Sequence, residues 1–273
     1  MASARKRLDT VLVERGLFES RSKAAAAVVA GDVLVGDERR RADKPGLAVD
    51  PEVGLDVRDP PRYVSRGGLK LERALDVFEL GVAGRSCLDA GASTGGFTDC
   101  LLQREAAHVV AVDVAYWELH WSLRQDPRVT VLERSNVRAL APAALPYRPD
   151  LIVADLSFIG LGKVLPALAA CAAQSFELVA LVKPQFELGP DRVGKGGVVR
   201  SPDDRLEALV AAGEAARSAG MSVHGYASSG LPGPAGNRES FVLCTEAARP
   251  GVEDLTAAAR AAEPEAAGIP VRS

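Results

Sequence analysis

Three ionisable residues sit where apolar segments begin or end. Asp155 closes "LIVAD", Lys183 closes "LVALVK" just before Pro184, and Glu239 stands immediately ahead of "SFVLCT". In an open α/β sheet ligands bind beyond the carboxyl ends of the strands, so residues at those ends share one edge. If the last strand runs against the others, its beginning falls at that edge too. Carboxylates flanking a lysine suit the activation of a poor oxygen nucleophile such as a hydroxyl. A lysine so held can orient the oxygen and stabilise the negative charge that develops on it as it attacks. Lys183 is read as either a base or a fixed cation.

A glycine-rich bend should reach the same edge. "CLDAGASTGGFTD", Cys87 to Asp99, reads as the end of a buried strand with glycines where a helix opens. It fits a nucleotide-like cofactor, a dinucleotide, or Ser93 presented as a nucleophile, because Gly91 to Gly95 also spells G-x-S-x-G. Ser93, Asp155 and His224 even follow the hydrolase order. That elbow, however, sits on a strand in mid-sheet, whereas "CLDAG" is the first strand of its domain, and His224 lies inside a strand pattern. A dinucleotide site wants a central glycine so that the backbone can approach a pyrophosphate, and Ser93 occupies that place. S-adenosylmethionine has no pyrophosphate. It has a ribose, and Asp113, 22 residues after Gly91, is placed to accept hydrogen bonds from its hydroxyls. Asn136 follows the next strand and could meet the adenine edge. The competing reading of Asp113 is a loop-end carboxylate capping the next helix.

These residues need a scaffold. From Ser86 onward, apolar strands ("CLDAG", "HVVAVDV", "VTVLE", "LIVADLS", "LVALVKPQF", "MSVHGYASS", "SFVLCT") alternate with helical stretches at Gly96 to Arg104, Trp117 to Arg124, Gly162 to Ala173 and Pro202 to Ala219. Such alternation predicts an α/β fold with a doubly wound, mostly parallel sheet covered on both faces. Between Ser228 and Ser240 the chain is too short and glycine-rich for a crossover helix, so the last strand should be antiparallel. Ser65 is read as the cap of a helix with the stripe Leu71, Leu75 and Phe78, and Lys70 as a solvated residue of that helix.

Ahead of this lies a smaller α+β module, residues 1–57. Leu8, Val11 and Leu12 with a stop at Gly16 describe one short helix, "SRSKAAAAVVAG" capped by Ser20 or Ser22 a second, and "DVLVGDERR" a strand entering a turn. Pro60 and Pro61 mark a linker over 58–63. The larger domain spans 64–249, and the Ala-rich tail, 250–273, is expected to be disordered, with no assigned role.

Composition narrows the function classes. The chain has 273 residues, 47% hydrophobic and 25% charged, which is that of a globular protein. Its longest apolar run, Val164 to Ala173, contains Pro166 and is half of what a membrane span needs. The start carries basic residues without an apolar signal core, so the expected compartment is cytoplasmic. Four scattered cysteines and three histidines give no metal-ligand spacing. Net charge is −3, yet residues 1–70 hold 14 Lys and Arg against 11 Asp and Glu, a mildly basic front end on an acidic body.

Two resemblances sharpen this. "RLDTVLVERGLFESRSKAAAAVVAGDVLV" resembles the small RNA-binding domain named after a small-subunit ribosomal protein, through R-L-D, S-R-x-x-A and G-x-V. The resemblance implies that Arg5, Lys6, Arg7, Arg21 and Lys23 lie along RNA phosphates. Lys70 in "SRGGLKLERAL", Asp155 in "DLSF", Lys183 in "KPQFE" and Glu239 in "GNRES" match the lysine, aspartate, lysine, glutamate tetrad of FtsJ-like ribose 2′-O-methyltransferases. With both parts in order, residues 5–246 resemble the TlyA family. That implies a catalytic tetrad of Lys70, Asp155, Lys183 and Glu239. It also implies S-adenosylmethionine held by Gly91, Ala92, Ser93, Gly95, Gly96, Phe97, Asp113, Asn136 and Asp155, no metal, and cytidine 2′-hydroxyls of ribosomal RNA in ribosomal subunits as substrate. A non-catalytic RNA-binding or ribosome-assembly protein, or a membrane-active haemolysin, are the alternatives.

Overall fold

The computed structural model describes residues 5–58 and 62–263, and the chain divides into two compact units between Arg62 and Tyr63. In the first, β1 (Lys6–Arg7) leads into α1 (Leu8–Glu14), then α2 (Arg21–Ala30), β2 (Val33–Val35), β3 (Arg40–Arg41), β4 (Ala48–Val49) and β5 (Leu55–Val57). Ser20 caps α2 by accepting the Lys23 N–H, and Gly31 ends it in the left-handed region at φ 86°. Leu8, Val11, Leu12, Ala24, Val28 and Val33 meet in one small core. The strands pair in the order β3-β2-β5, with β1 and β4 as a separate ribbon.

The second unit begins with α3 (Gly67–Val77), β6 (Ser86–Ala90), α4 (Gly96–Gln103), β7 (His108–Val112), α5 (Trp121–Arg124), β8 (Val129–Leu132) and β9 (Leu151–Ala154). It continues with α6 (Leu165–Cys171), β10 (Glu177–Val182), α7 (Pro184–Glu187), α8 (Pro202–Ser218), β11 (Met221–Ser228), β12 (Ser240–Glu246) and α9 (Leu255–Ala262). The seven strands lie in the order β11-β12-β10-β9-β6-β7-β8. β8, β7, β6, β9 and β10 are mutually parallel, and β12 is antiparallel to both of its neighbours, as the short 229–239 connection requires. Both faces are covered, so a strand sends apolar side chains both ways: Leu88 and Ala90 of β6 enter one core, and Cys87 enters the other. Burying a leucine such as Leu88 stabilises by about 1.5–3 kcal/mol.

Four local expectations are corrected. Ser65 makes no side-chain cap for α3. The helix expected from Trp117 forms only at Trp121–Arg124, because Trp117 adopts φ 67° and cannot propagate it. Tyr63, assigned to the linker, is buried in the core formed by α3 and α4 and starts the second unit; residues 59–61 of that linker lie outside the described residues. The tail is ordered through Glu263: Leu255 and Ala259 of α9 join the sheet's core, and Glu263 forms a buried ion pair with Arg205 at 2.9 Å. Residues 264–273 of that tail lie outside the described residues.

Candidate active site

The sheet order reverses between β6 and β9, and the strand ends there define the site. The pair Ala90↔Ala154 sets Gly91 beside Asp155. An added Cβ on Gly91, at φ 87°, would overlap the Asp155 carbonyl oxygen, so only glycine permits this approach. Val182↔Ser240 is the last antiparallel pair of β10 and β12, which puts Lys183 and Glu239 side by side just beyond it.

The tetrad arranges itself as two lysine–carboxylate pairs. Lys70 is ion-paired with Glu239, and both are buried, correcting the solvated reading of Lys70. Lys183 stands 2.6 Å from Asp155 Oδ1 and donates a hydrogen bond to Ser157 Oγ at 2.9 Å. The Asp155 contact is a charge pairing without hydrogen-bond alignment, so that oxygen retains acceptor capacity. All four line one cavity of about 470 Å³, together with Gly91, Ala92, Ser93, Gly96 and Phe97.

A second cavity of about 480 Å³ shares Gly91, Ser93, Asp155 and Ser157 with the first and adds Asp113 and Asn136. Asp113 does not cap a helix as its competing reading held. Its Oδ2 accepts the Ser93 N–H and its Oδ1 the Ala115 N–H, both at 2.8 Å, tying the glycine bend to the end of β7. Ser93 takes the left-handed conformation at φ 47°. Asn136 Oδ1 accepts from the Arg138 N–H at 3.0 Å. Gly95 lines neither cavity; it opens α4 in the left-handed region at φ 99°, where an added Cβ would overlap Leu123.

The hydrolase reading fails on contacts. The Ser93 hydroxyl donates to Glu118 at 3.3 Å, whereas His224, on edge strand β11, bonds Thr245 at 2.9 Å.

Sequence reasoning passed over three groups. Ser157, within the "DLSF" already singled out, orients Lys183. Ser65 and Arg66 line the first cavity from the N-terminal end of α3. Asp89, in "CLDAG", is fully buried, with Oδ2 accepting from the Thr98 hydroxyl at 2.6 Å and Oδ1 lacking a partner. Burial pushes its carboxyl up to about 7, against the opposite pull of the Thr98 hydrogen bond.

In the first unit Asp9 is buried beneath two candidate RNA-binding residues, at 2.6 Å from Arg7 and 3.5 Å from Arg21. The Arg7 hydrogen bond holds the Asp9 carboxyl down at about 2. Lys6 pairs with Glu14 at 2.8 Å and Lys23 with Glu19, while Arg5 is exposed.

Comparison with known proteins agrees with both units. The FtsJ-like methyltransferase family matches residues 63–246, and the S4 domain matches residues 6–52. The chain is 53% identical over 240 residues to the 16S/23S rRNA (cytidine-2′-O)-methyltransferase TlyA of Mycobacterium tuberculosis, covering 87% of this chain and 89% of that one. It is 39% identical over 203 residues to Hemolysin A of Brachyspira hyodysenteriae, covering 73% and 82%. A solved structure of a haemolysin-named protein from Streptococcus thermophilus superposes with a TM-score of 0.74 at 39% identity, covering 98% of this chain and 97% of that one. Among the described residues no helix is long and apolar enough to cross a membrane. The chain belongs to the TlyA family of FtsJ-like methyltransferases.

Proposed function

We propose that this protein transfers a methyl group from S-adenosylmethionine to the ribose 2′-hydroxyl of a cytidine in ribosomal RNA, working on ribosomal subunits in the cytoplasm. The observation that carries this is the meeting of two lysine–carboxylate pairs in a cavity that shares a wall with a second, glycine-lined one.

The residues fit the cofactor. Gly91 brings backbone rather than side chain against the shared wall, Asp113 keeps lone pairs for ribose hydroxyls, and Asn136, lining the second cavity, would meet the adenine edge. Gly91, Ala92, Ser93, Gly96, Phe97, Asp113, Asn136 and Asp155 would hold it. When bound it supplies an electrophilic methyl group on a sulfonium.

The chain's own groups then do the rest. An ammonium has three N–H donors, and with Ser157 taking one and Asp155 paired by charge alone, Lys183 retains a donor for the ribose oxygen. It acts as a fixed cation that orients the oxygen, while Asp155 and Glu239 are the proton acceptors of the set. Lys70 holds Glu239 in place. On the first unit, Arg5, Lys6, Arg7, Arg21 and Lys23 contact phosphates, giving affinity and orientation rather than base choice.

The test is a map of 2′-O-methylated positions in ribosomal RNA from cells with and without the protein. A cytidine that loses its methyl group on deletion and regains it with wild-type protein, but not with Lys183→Ala, is expected. Identical maps would sink the reading.

A further inference from the structure

Three aromatic residues between β7 and β8, Tyr116, Trp117 and Trp121, present a surface to which the methyl-transfer site assigns no role. The chain has two tryptophans, and both are exposed: Trp117 by 68% and Trp121 by 72%, with Tyr116 beside them at 58%. Trp117 is also held in place. It sits at φ 67°, where a bulky residue is a rarity, and its backbone N–H donates to Glu133 Oε1 at 2.6 Å. The same Glu133 oxygen pairs with Arg124, whose guanidinium carbon lies 4.3 Å from the Trp117 ring centroid. Arg134 backs Tyr116 in the same way at 4.4 Å. A guanidinium thus covers one face of each ring, the two rings lie 5.9 Å apart at a tilt of 43°, and both keep more than half of their surface exposed. Neither Tyr116, Trp117 nor Trp121 lines the two cavities of the candidate active site, so the cofactor does not account for them.

We propose that Trp117, with Tyr116 beside it, is a stacking platform for an unpaired base of the RNA, separate from the cavity that takes the reacting nucleoside. The proposal rests on the reading that the substrate is RNA. A nucleobase has the π-face that an open, guanidinium-backed indole accepts irrespective of sequence. Arg134, which backs Tyr116, and Arg138 are exposed, have no carboxylate partner among the described residues, and can take RNA phosphates. An apolar protein partner would instead have to bury those charges uncompensated. Holding the ring ready in advance lowers the ordering cost of binding. The platform also lies next to the reaction site in the chain: Glu118, adjacent to Trp117, accepts the Ser93 hydroxyl at the glycine bend.

The full-length protein carrying Trp121→Phe reports Trp117 fluorescence alone. Titration with octaadenylate should quench that fluorescence, whereas an abasic ribose-phosphate octamer of equal charge should bind more weakly and quench little. Trp117→Ala, in the otherwise wild-type chain, should weaken octaadenylate binding by about 5- to 100-fold and bring the two oligomers level. Trp117→Phe should retain most of the affinity, and S-adenosylmethionine affinity should change less than about twofold in either variant. Equal binding of both oligomers by wild-type protein, or a Trp117→Ala variant that loses cofactor affinity as much as RNA affinity, overturns the platform. Protein that methylates ribosomal RNA yet shows no base-dependent quenching overturns the platform alone. Protein that neither binds nor methylates ribosomal RNA overturns both this and the functional reading.

Discussion

Lys70 and Glu239 lie 169 residues apart in the chain and form a buried ion pair on the wall of the first cavity, the lysine 7% and the glutamate 3% exposed. Removing either partner leaves a buried charge uncompensated, at a cost of about 3–5 kcal/mol. Glu239→Ala should therefore lose methyl transfer and unfold at a lower temperature. Replacing both residues, Lys70→Met with Glu239→Leu, should restore much of the stability without restoring turnover. Thermal unfolding and methyl incorporation measured together separate the two roles. Turnover regained in the double variant would make the pair purely structural.

Lys183 lines the first cavity and not the second. Lys183→Ala should accordingly reduce methyl transfer below detection while S-adenosylmethionine binding, followed by calorimetry, stays within a few-fold of wild type. Lys183→Arg should fail as well, since a planar guanidinium cannot take the place of a compact ammonium between Asp155 and Ser157. A turnover near wild type in the alanine variant removes Lys183 from the mechanism.

How much of this was legible in the sequence depended on how local each signal was. Asp155, Lys183 and Glu239 were readable because strand periodicity and a short connection fix which edge a strand end reaches. The antiparallel β12 was readable for the same reason. Lys70 was reached only through the family resemblance, because helix periodicity sets it off the apolar stripe, and its burial shows only in the ion pair with Glu239, just ahead of β12. Trp117 broke its expected helix through a backbone conformation held by Glu133, a partner 16 residues away that no propensity registers. The ordering of the tail depends likewise on a distant partner, Arg205.

Asp113 holds the glycine bend through two backbone N–H groups and lines the second cavity. Asp113→Ala should weaken S-adenosylmethionine binding by about 10- to 100-fold, the scale of one or two charge-assisted hydrogen bonds. With cofactor in excess, the maximal rate should recover, because the tetrad is untouched. A variant with normal cofactor affinity would return Asp113 to a purely structural role.

Arg7 and Arg21 share Asp9, and Lys23 pairs with Glu19 on the surface. The Lys23–Glu19 pair, exposed at both ends, contributes at most about 1 kcal/mol and gives way to RNA phosphates at little cost, while Arg7 and Arg21 keep guanidinium surface exposed above the buried Asp9. Reversing the charge at Arg21 and Lys23 together should reduce the slope of log affinity against log salt by about two. An unchanged slope would show that this face does not meet RNA.

Asp89 gives the fold a distinctive dependence on pH. Its carboxyl titrates near 3.8 in the unfolded chain and is pushed up to about 7 by burial in β6. Between those values the folded protein keeps a proton that the unfolded chain has lost. Stability contributed at this position therefore falls as pH rises through that window, by about 1.4 kcal/mol for each pH unit inside it. Asp89→Asn removes the titration but retains a polar partner for Thr98. Denaturant unfolding at pH 4.5, 6 and 8 should show the variant gaining on wild type progressively toward pH 8. Groups whose pKa is lowered by folding, such as Asp9, tilt both curves equally and cancel in the difference. Parallel curves would mean that the Asp89 carboxyl is not held protonated in the folded protein.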